Sequence, residues 1–153
     1  MVSEMKIEKA IQQKKPFRNC RHRAMVNLIY TNNWMVDQLR AKIKPHGITM
    51  QQYNVLRVLR GAGEPISTSV IRERLLDKMA DTSRMVHRLH QKGLVERSEC
   101  EHDKRLVDIS LTDKGMELLS RLDKLEPEMD AICSKLTEEE ALRLSELLDK
   151  LRE

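Results

Sequence analysis

The stretch TSRMVHRLHQ, residues 82–91, carries side chains suited to binding a polyanion. At helical spacing, Met85, Val86 and Leu89 fall on one face, which leaves hydroxyl and cationic groups on the rest of the surface. Arginine can make bidentate hydrogen bonds to guanine, and backbone N–H groups at a helix start can bind phosphate. The pattern favours a helix that binds duplex DNA, although a solvated basic helix would show the same residues. The side chains concerned are Thr82, Ser83, Arg84, His87 and Arg88.

A second cluster of charge lies between residues 94–97 and residues 106–111. Residues 106–111 alternate between apolar and polar side chains, and together the two stretches predict an antiparallel hairpin. A charged hairpin tip can touch the backbone or the minor groove of DNA, while the alternative is a solvated turn. The turn contains Glu101, His102, Asp103, Lys104 and Arg105.

Other arrangements of reactive residues are incomplete. His87 and His90 lie on the predicted DNA-binding helix, and Cys100, His102 and Asp103 form a short, exposed group. Zinc needs three or four convergent ligands with supporting hydrogen bonds. The sequence has no nucleophile–base motif, glycine-rich phosphate loop or nucleotide fingerprint. We therefore expect no metal, no cofactor and no enzymatic activity.

The three cysteines, Cys20, Cys100 and Cys133, are widely spaced and odd in number, which argues against a disulfide framework. Cys20 lies in the basic stretch RNCRHR, and cationic neighbours favour the reactive thiolate. Cys20 is therefore either a redox-active thiol or an incidental free thiol. Cys133 lies on an apolar stripe and is expected in the core.

The composition is typical of a helical protein. The chain has 153 residues, enough for one domain, with 34% charged and 3% aromatic residues and a mean hydropathy of −0.56. Residues 1–98 have a net charge of +11 and residues 99–153 one of −7, so the first part is a candidate polyanion-binding surface. No stretch approaches the roughly 18 apolar residues of a membrane span, and the N-terminus lacks the apolar region of a secretory signal. We expect a cytoplasmic protein without membrane contact.

Periodicity and capping residues predict the order of the elements. Thr49 with Gln52, and Thr137 with Glu140, form capping-box patterns at two helix starts, and Gly93 ends a helix. The predicted elements are an arm or short helix at 4–13, helices at 18–44, 49–60, 70–76 and 80–92, an extended residue at 66, strands at 94–97 and 106–111, a helical segment at 116–132 and a last helix at 137–151.

Three short helices followed by one hairpin are the layout of a winged helix-turn-helix. In such a domain the last of the three helices, here 80–92, is the second helix of the helix-turn-helix and enters the major groove. The predicted fold class is therefore mainly α (α+β), with a two-stranded wing. Lys78, in the turn before the predicted DNA-binding helix at 80–92, joins the predicted DNA-binding residues. Apolar stripes at 25–43 and 116–151 exceed what a winged-helix domain of about 60 residues needs. They must pack against a second subunit or within an intramolecular helical subdomain.

Three segments resemble the multiple-antibiotic-resistance regulators, the MarR family. TSRMVHRLHQKGLVER, residues 82–97, is similar to the family's recognition helix and first wing strand. DKRLVDISLTDKG, residues 103–115, resembles the wing signature, and GITMQQYNVLRVL, residues 47–59, resembles the second helix. The resemblance covers roughly residues 25–150. It departs at the longer basic N-terminal arm and at Ala80–Asp81, where many members have small hydroxyl residues.

The resemblance implies a homodimer with interlocking N- and C-terminal helices, bound to a pseudo-palindromic operator in double-stranded DNA. It also implies that Arg105 lies in the minor groove and that Asp103 orients nearby basic side chains. Members bind small aromatic or phenolic effectors between the dimer helices and the DNA-binding lobe. Tyr30 and Trp34, four residues apart on one helix face, either line such an effector pocket or pack in the dimer core. Some members sense peroxide through a cysteine near the position of Cys20.

The predicted organisation is one MarR-type domain over residues 1–153. It comprises an arm and dimerisation helix at 1–46, the winged helix-turn-helix at 47–111 and C-terminal dimerisation helices at 112–153. The predicted function is a sequence-specific, ligand-responsive homodimeric repressor that binds an operator and a small apolar or phenolic effector. Two alternatives stay open: a redox-sensing regulator that uses Cys20, and a helical adaptor that binds proteins and no DNA.

Overall fold

The computed structural model describes residues 6–100, 103 and 106–153. This part of the chain contains eight α-helices, two 3-10 turns and three short β-strands. The α-helices are α1 (Ile7–Ala10), α2 (Cys20–Ile43), α3 (Met50–Ala62), α4 (Thr68–Arg74), α5 (Thr82–Gln91), α6 (Asp113–Asp123), α7 (Glu126–Asp130) and α8 (Glu138–Arg152). The strands are β1 (Ile66–Ser67), β2 (Val95–Glu99) and β3 (Val107–Leu111), and the 3-10 turns are Lys44–His46 and Ala131–Cys133.

The chain divides into two compact units, Met1–Gln38 and Leu39–Glu153. In the first unit, Ile7 of α1 is buried and the Glu8 carboxylate accepts a hydrogen bond from Arg23 Nε at 2.5 Å. The Asn19 side chain accepts from the backbone N–H of His22 at 2.9 Å and so caps the start of α2. Neither α2, with its 24 residues, nor any other helix of the described residues is long and apolar enough to cross a membrane.

The core of the second unit forms around α3. The predicted capping box is present, since Thr49 Oγ1 accepts from the Gln52 N–H and Gln52 Oε1 accepts from the Thr49 N–H, both at 3.1 Å. Apolar residues of α3 then fall on one face and are buried against α4, α5, α6 and the sheet. The buried apolar residues of α3 and α5 are Tyr53, Val55, Leu56, Leu59, Val86 and Leu89.

The predicted hairpin is confirmed and belongs to a sheet of three antiparallel strands in the described residues, in the order β1-β3-β2. Arg97 of β2 and Ile66 of β1 both lie opposite Ile109 of β3. The sequence indicated only an extended residue at Ile66 and a two-stranded wing. The third strand forms because the second edge of β3 would otherwise leave backbone N–H and C=O groups unpaired.

The helical segment that follows the hairpin is not continuous, so the prediction of one segment over 116–132 was wrong in this respect. Its helix α6 ends at Asp123, and α7 begins at Glu126. Pro127, in the first turn of α7, has no N–H to donate to the carbonyl of Asp123, and its ring would clash with that carbonyl. Cys133 is exposed, which contradicts its predicted place in the core of the chain.

Candidate nucleic-acid interface

Helix α5 is defined by a cap at each end and by one buried face. The Asp81 carboxylate accepts a hydrogen bond from the Arg84 N–H at 3.0 Å and caps the N-terminus. Gly93 has φ +70°, the left-handed conformation that ends a helix and that glycine adopts without strain. Val86 and Leu89 are buried against the core. These contacts fix which side of α5 faces solvent.

Four of the predicted DNA-binding side chains share the exposed side of α5: Ser83, Arg84, His87 and Arg88. Arg84 and Arg88 are one turn apart and line the same open cleft of about 230 Å³, between the starts of α3 and α5. Two arginine side chains thus lie one helical turn apart on an exposed surface. This arrangement can donate hydrogen bonds to base edges or to phosphates.

Thr82 was predicted to contact DNA, and the structure contradicts this. Its side chain is fully buried, and its hydroxyl donates to the Ala80 carbonyl at 3.5 Å. Thr82, Val86 and Leu89 are spaced by four and three residues, so they lie on the same face. That spacing was the signal in the sequence that Thr82 belongs to the core rather than to the exposed side.

Asp81 has an electrostatic role that was not predicted from the sequence. Its carboxylate occupies the Arg84 N–H, one of the donors at the N-terminus of α5 that would otherwise be available to a phosphate. It also places a negative charge where the helix dipole attracts anions. The start of α5 is therefore a poorer phosphate site than the predicted hydroxyl-rich helix start.

The turn before α5 presents Lys78 between two solvent-exposed apolar residues. Leu76 and Met79 are 85% and 94% exposed. The Lys78 ammonium donates to the Glu73 carbonyl in the last turn of α4, while its side chain stays accessible. Lys78 thus lies in the exposed turn of the helix-turn-helix, where its charge can meet a DNA backbone.

Among the described residues of the hairpin tip, backbone hydrogen bonds join Cys100, Asp103 and Leu106. The Cys100 N–H donates to the Leu106 carbonyl at 3.0 Å, and the Leu106 N–H donates to the Asp103 carbonyl at 2.9 Å. The side chain of Asp103, the predicted wing support, is exposed. Lys104 and Arg105, the predicted cations of the tip, lie outside the described residues.

The remaining predicted site residues lie in the unit Met1–Gln38. Cys20 is the first residue of α2, and its thiol is free and exposed. Tyr30 and Trp34 lie one turn apart on α2 and are 41% and 45% exposed. Across residues 6–100, 103 and 106–153, no group of three or more His, Cys, Asp or Glu side chains is arranged to hold a metal ion.

An ion pair fixes α3, which supports the interface, against α6. Arg60 donates from Nη1 and Nη2 to both carboxylate oxygens of Asp123 at 2.8–3.0 Å. This hydrogen bonding to a carboxylate raises the pKa of Arg60 above its ordinary value. On the same helix, burial raises the pKa of Tyr53, so its phenol stays neutral and acts as a core side chain.

The helices α3, α4 and α5 are followed by a charged hairpin, and α5 exposes two arginines. This arrangement defines a winged helix-turn-helix protein. The sequence profile of the MarR family matches residues 46–106. The HTH-type transcriptional regulator PecS of Dickeya dadantii (strain 3937) is 32% identical over 121 residues, covering 76% of this chain and 70% of that protein. The HTH-type transcriptional repressor MdtR of Bacillus subtilis (strain 168) is 33% identical over 115 residues, covering 74% of each. The chain belongs to the MarR family of transcriptional regulators.

Solved structures share the fold. A cysteine-to-serine variant of Escherichia coli MarR, complexed with operator DNA, superposes with a TM-score of 0.75 at 29% identity, covering 82% of this chain and 91% of that one. The organohalide-sensing transcriptional regulator RdhR, in its 2,4-dichlorophenol-bound form, superposes with a TM-score of 0.79 at 19% identity, covering 92% of this chain and 86% of that one. The mainly helical winged fold predicted from the sequence is thereby confirmed.

Proposed function

We propose that this regulator binds duplex DNA sequence-specifically through the exposed side of α5. The observation that carries the proposal is the pair Arg84 and Arg88, adjacent on a helix whose opposite face is anchored in the core. Ser83 and His87 complete the surface that meets the major groove, and Lys78 contacts the backbone beside it. At the hairpin tip, Arg105 enters the minor groove, Lys104 contacts phosphate and Asp103 orients these cations.

The active species in this proposal is a homodimer. In the described residues, α8 exposes Leu144, Leu147 and Leu151 on one face, and α2 exposes Met25, Leu28 and Ile29. These exposed apolar faces would be buried against a second subunit in the dimer. Residues 1–46 and 112–153 then supply the dimer helices and residues 47–111 the DNA-binding part. Two copies of α5 would meet successive major grooves of a pseudo-palindromic operator, about one helical turn apart.

The regulator acts as a repressor released by a small apolar or phenolic effector. Its relative MdtR is a repressor by name. Tyr30 and Trp34, exposed on α2, are the aromatic side chains that would contact the effector. An effector that binds the DNA-incompetent state more tightly by about 1–3 kcal/mol releases an operator. The protein needs no enzymatic activity for this role, which it performs in the cytoplasm.

The test is a salt titration with two duplexes. One, the selected duplex, is isolated from a random-sequence library by the wild-type protein; the other is its scrambled version. Arg84→Ala and Arg88→Ala should weaken binding to the selected duplex more than to the scrambled one, because a lost base contact costs about 1–3 kcal/mol of discrimination. Arg105→Ala should weaken both and reduce the slope of log K against log salt by about one ion.

Arg121→Ala, on the exposed side of α6, is the matched control and should bind both duplexes as the wild type does. If the wild-type protein binds neither duplex at low salt, DNA binding is refuted, and the alternative of a helical adaptor that binds proteins is favoured. An Arg105→Ala variant with unchanged affinity and slope would show that the hairpin is not a DNA-binding wing.

A further inference from the structure

Lys92, at the C-terminal end of α5, makes contacts that DNA binding alone does not explain. Its ammonium donates to the Gly47 carbonyl at 2.5 Å and lies 3.4 Å from Gln52 Oε1. Gly47 precedes α3 and has φ +76°, and Gln52 is the buried member of the Thr49 capping box. One side chain thus joins the end of α5 to the start of α3.

The backbone around Lys92 is fixed from the other side by α6. Lys114 Nζ donates to the Lys92 carbonyl at 2.8 Å, and Thr112 Oγ1 donates to the Gly93 carbonyl at 2.6 Å. The last carbonyls of a helix have no partner within the helix, so these donors satisfy groups that would otherwise turn to water. The Lys114 ammonium also lies at the negative end of the α5 dipole, where a cation is favourable.

The Lys92 ammonium is directed toward other parts of the protein. The partners of its ammonium are a backbone carbonyl and a side-chain amide, both within the protein. A recognition helix must be held within about 0.5 Å and 10–20° of its productive position for its side chains to meet base edges. The buried side chains of Thr82, Val86 and Leu89 anchor one face of α5, and the Lys92 ammonium adds a polar contact between its C-terminal end and the start of α3.

We propose that Lys92 is a positioning residue for DNA recognition: its ammonium ties the end of α5 to the Gly47–Gln52 start of α3 and so sets the angle at which Arg84 and Arg88 meet the major groove. This inference rests on the proposed function. Lys92 would contribute to the choice between sequences rather than to the attraction for phosphate.

The experiment compares Lys92→Met with the wild type on the selected and scrambled duplexes over a range of salt. Methionine keeps the unbranched stem and removes the ammonium. We expect the selected-over-scrambled affinity ratio to fall about tenfold, within the range for one lost base contact. The salt slope on the scrambled duplex should stay unchanged, because a phosphate contact would remove about 0.9 from it. Lys92→Arg, which keeps cationic donors, should restore most of the ratio.

Lys124→Met removes one charge at the end of α6 and is the control, with the wild-type ratio expected. If Lys92→Met fails to fold, as judged by its circular dichroism, Lys114→Met removes only the donor to the Lys92 carbonyl and should lower the ratio in the same direction. An unchanged ratio in the folded variant, or a salt slope reduced by about one ion, overturns the positioning role. A wild-type protein that binds both duplexes equally overturns sequence-specific recognition itself, which is a separate failure.

Discussion

Gly115 lies against the start of the wing at a distance that leaves no room for a side chain. A Cβ atom there would be 2.2 Å from the Leu94 carbonyl oxygen and 3.2 Å from Leu111 Cδ2. The Leu94 carbonyl accepts a hydrogen bond from the Thr112 N–H at 3.2 Å, so this backbone has little freedom to withdraw. The absent side chain lets α6 begin directly beside β2.

Gly115→Ala should therefore lower the free energy of unfolding by about 1–3 kcal/mol, the usual cost of overpacking a core. Urea denaturation followed by circular dichroism measures the change. The control is Gly61→Ala in α3, where the same added methyl meets nothing within 4 Å. That substitution should raise stability by up to about 1 kcal/mol, since alanine is the better helix former. Equal stabilities for the two variants would contradict the close approach.

The Asp81 carboxylate stabilises α5 but weakens the binding of phosphate at the start of that helix. It stabilises α5 by capping it, with a typical contribution of about 1 kcal/mol. The same charge repels phosphate at the end of the helix where the dipole would attract it. In the proposed mode of binding, we therefore expect Arg84, Arg88 and the wing to supply more of the affinity for DNA than the start of the helix does.

At the scale of elements, α1 depends on a small number of contacts. Burial of Ile7 and the Glu8–Arg23 ion pair hold this four-residue helix to the start of α2. The hydrogen bond from Arg23 lowers the pKa of Glu8 below its ordinary value of 4.5. The pair is exposed to solvent, so it directs α1 locally and adds little to overall stability.

The docking of α1 should therefore depend on pH in a defined direction. A carboxylate whose pKa is lowered by folding contributes above its ordinary pKa of 4.5, and the contribution disappears as the pH falls through the lower, folded value. Backbone amide chemical shifts of residues 7–10 should move in that acidic window in the wild-type protein. In Glu8→Gln the pH-dependent movement should be absent; its persistence would assign the transition to another group.

At the scale of the whole molecule, apolar surface lies on the helices at both ends of the chain. Leu144, Leu147 and Leu151 of α8 are 45–69% exposed, and α2 separately exposes Met25, Leu28 and Ile29. Exposed leucines at helical spacing on one element indicate a face that another helix covers. The core within Leu39–Glu153 is complete without them, because none of these residues belongs to the buried cluster.

Sizing at micromolar concentration should give about twice the chain mass of 17.9 kDa. Leu144→Glu with Leu147→Glu should produce a monomer, because burying two charges at an interface costs several kcal/mol. Ser145→Glu, an exposed polar position on the same helix, is the control and should leave the dimer intact. A wild-type monomer that still distinguishes a palindrome from a half-site would contradict the dimeric mode of binding.

The sequence by itself determined the features whose physical causes act within a few residues. The capping boxes at Thr49 and Thr137 were predictable because each needs only the residue three positions further on. Gly93 as the end of α5 and the hairpin around residues 94–111 were predictable for the same reason. The exposed positions of Arg84 and Arg88 followed from helical periodicity.

Only the tertiary structure decided features that depend on which faces pack together. Ile66 becomes a strand only because β3 presents a free edge to it. The contact of Lys92 with Gly47 joins residues 45 positions apart, and no local pattern specifies a partner at that distance. Such contacts form after the helices have packed, because packing is what brings donor and acceptor within reach.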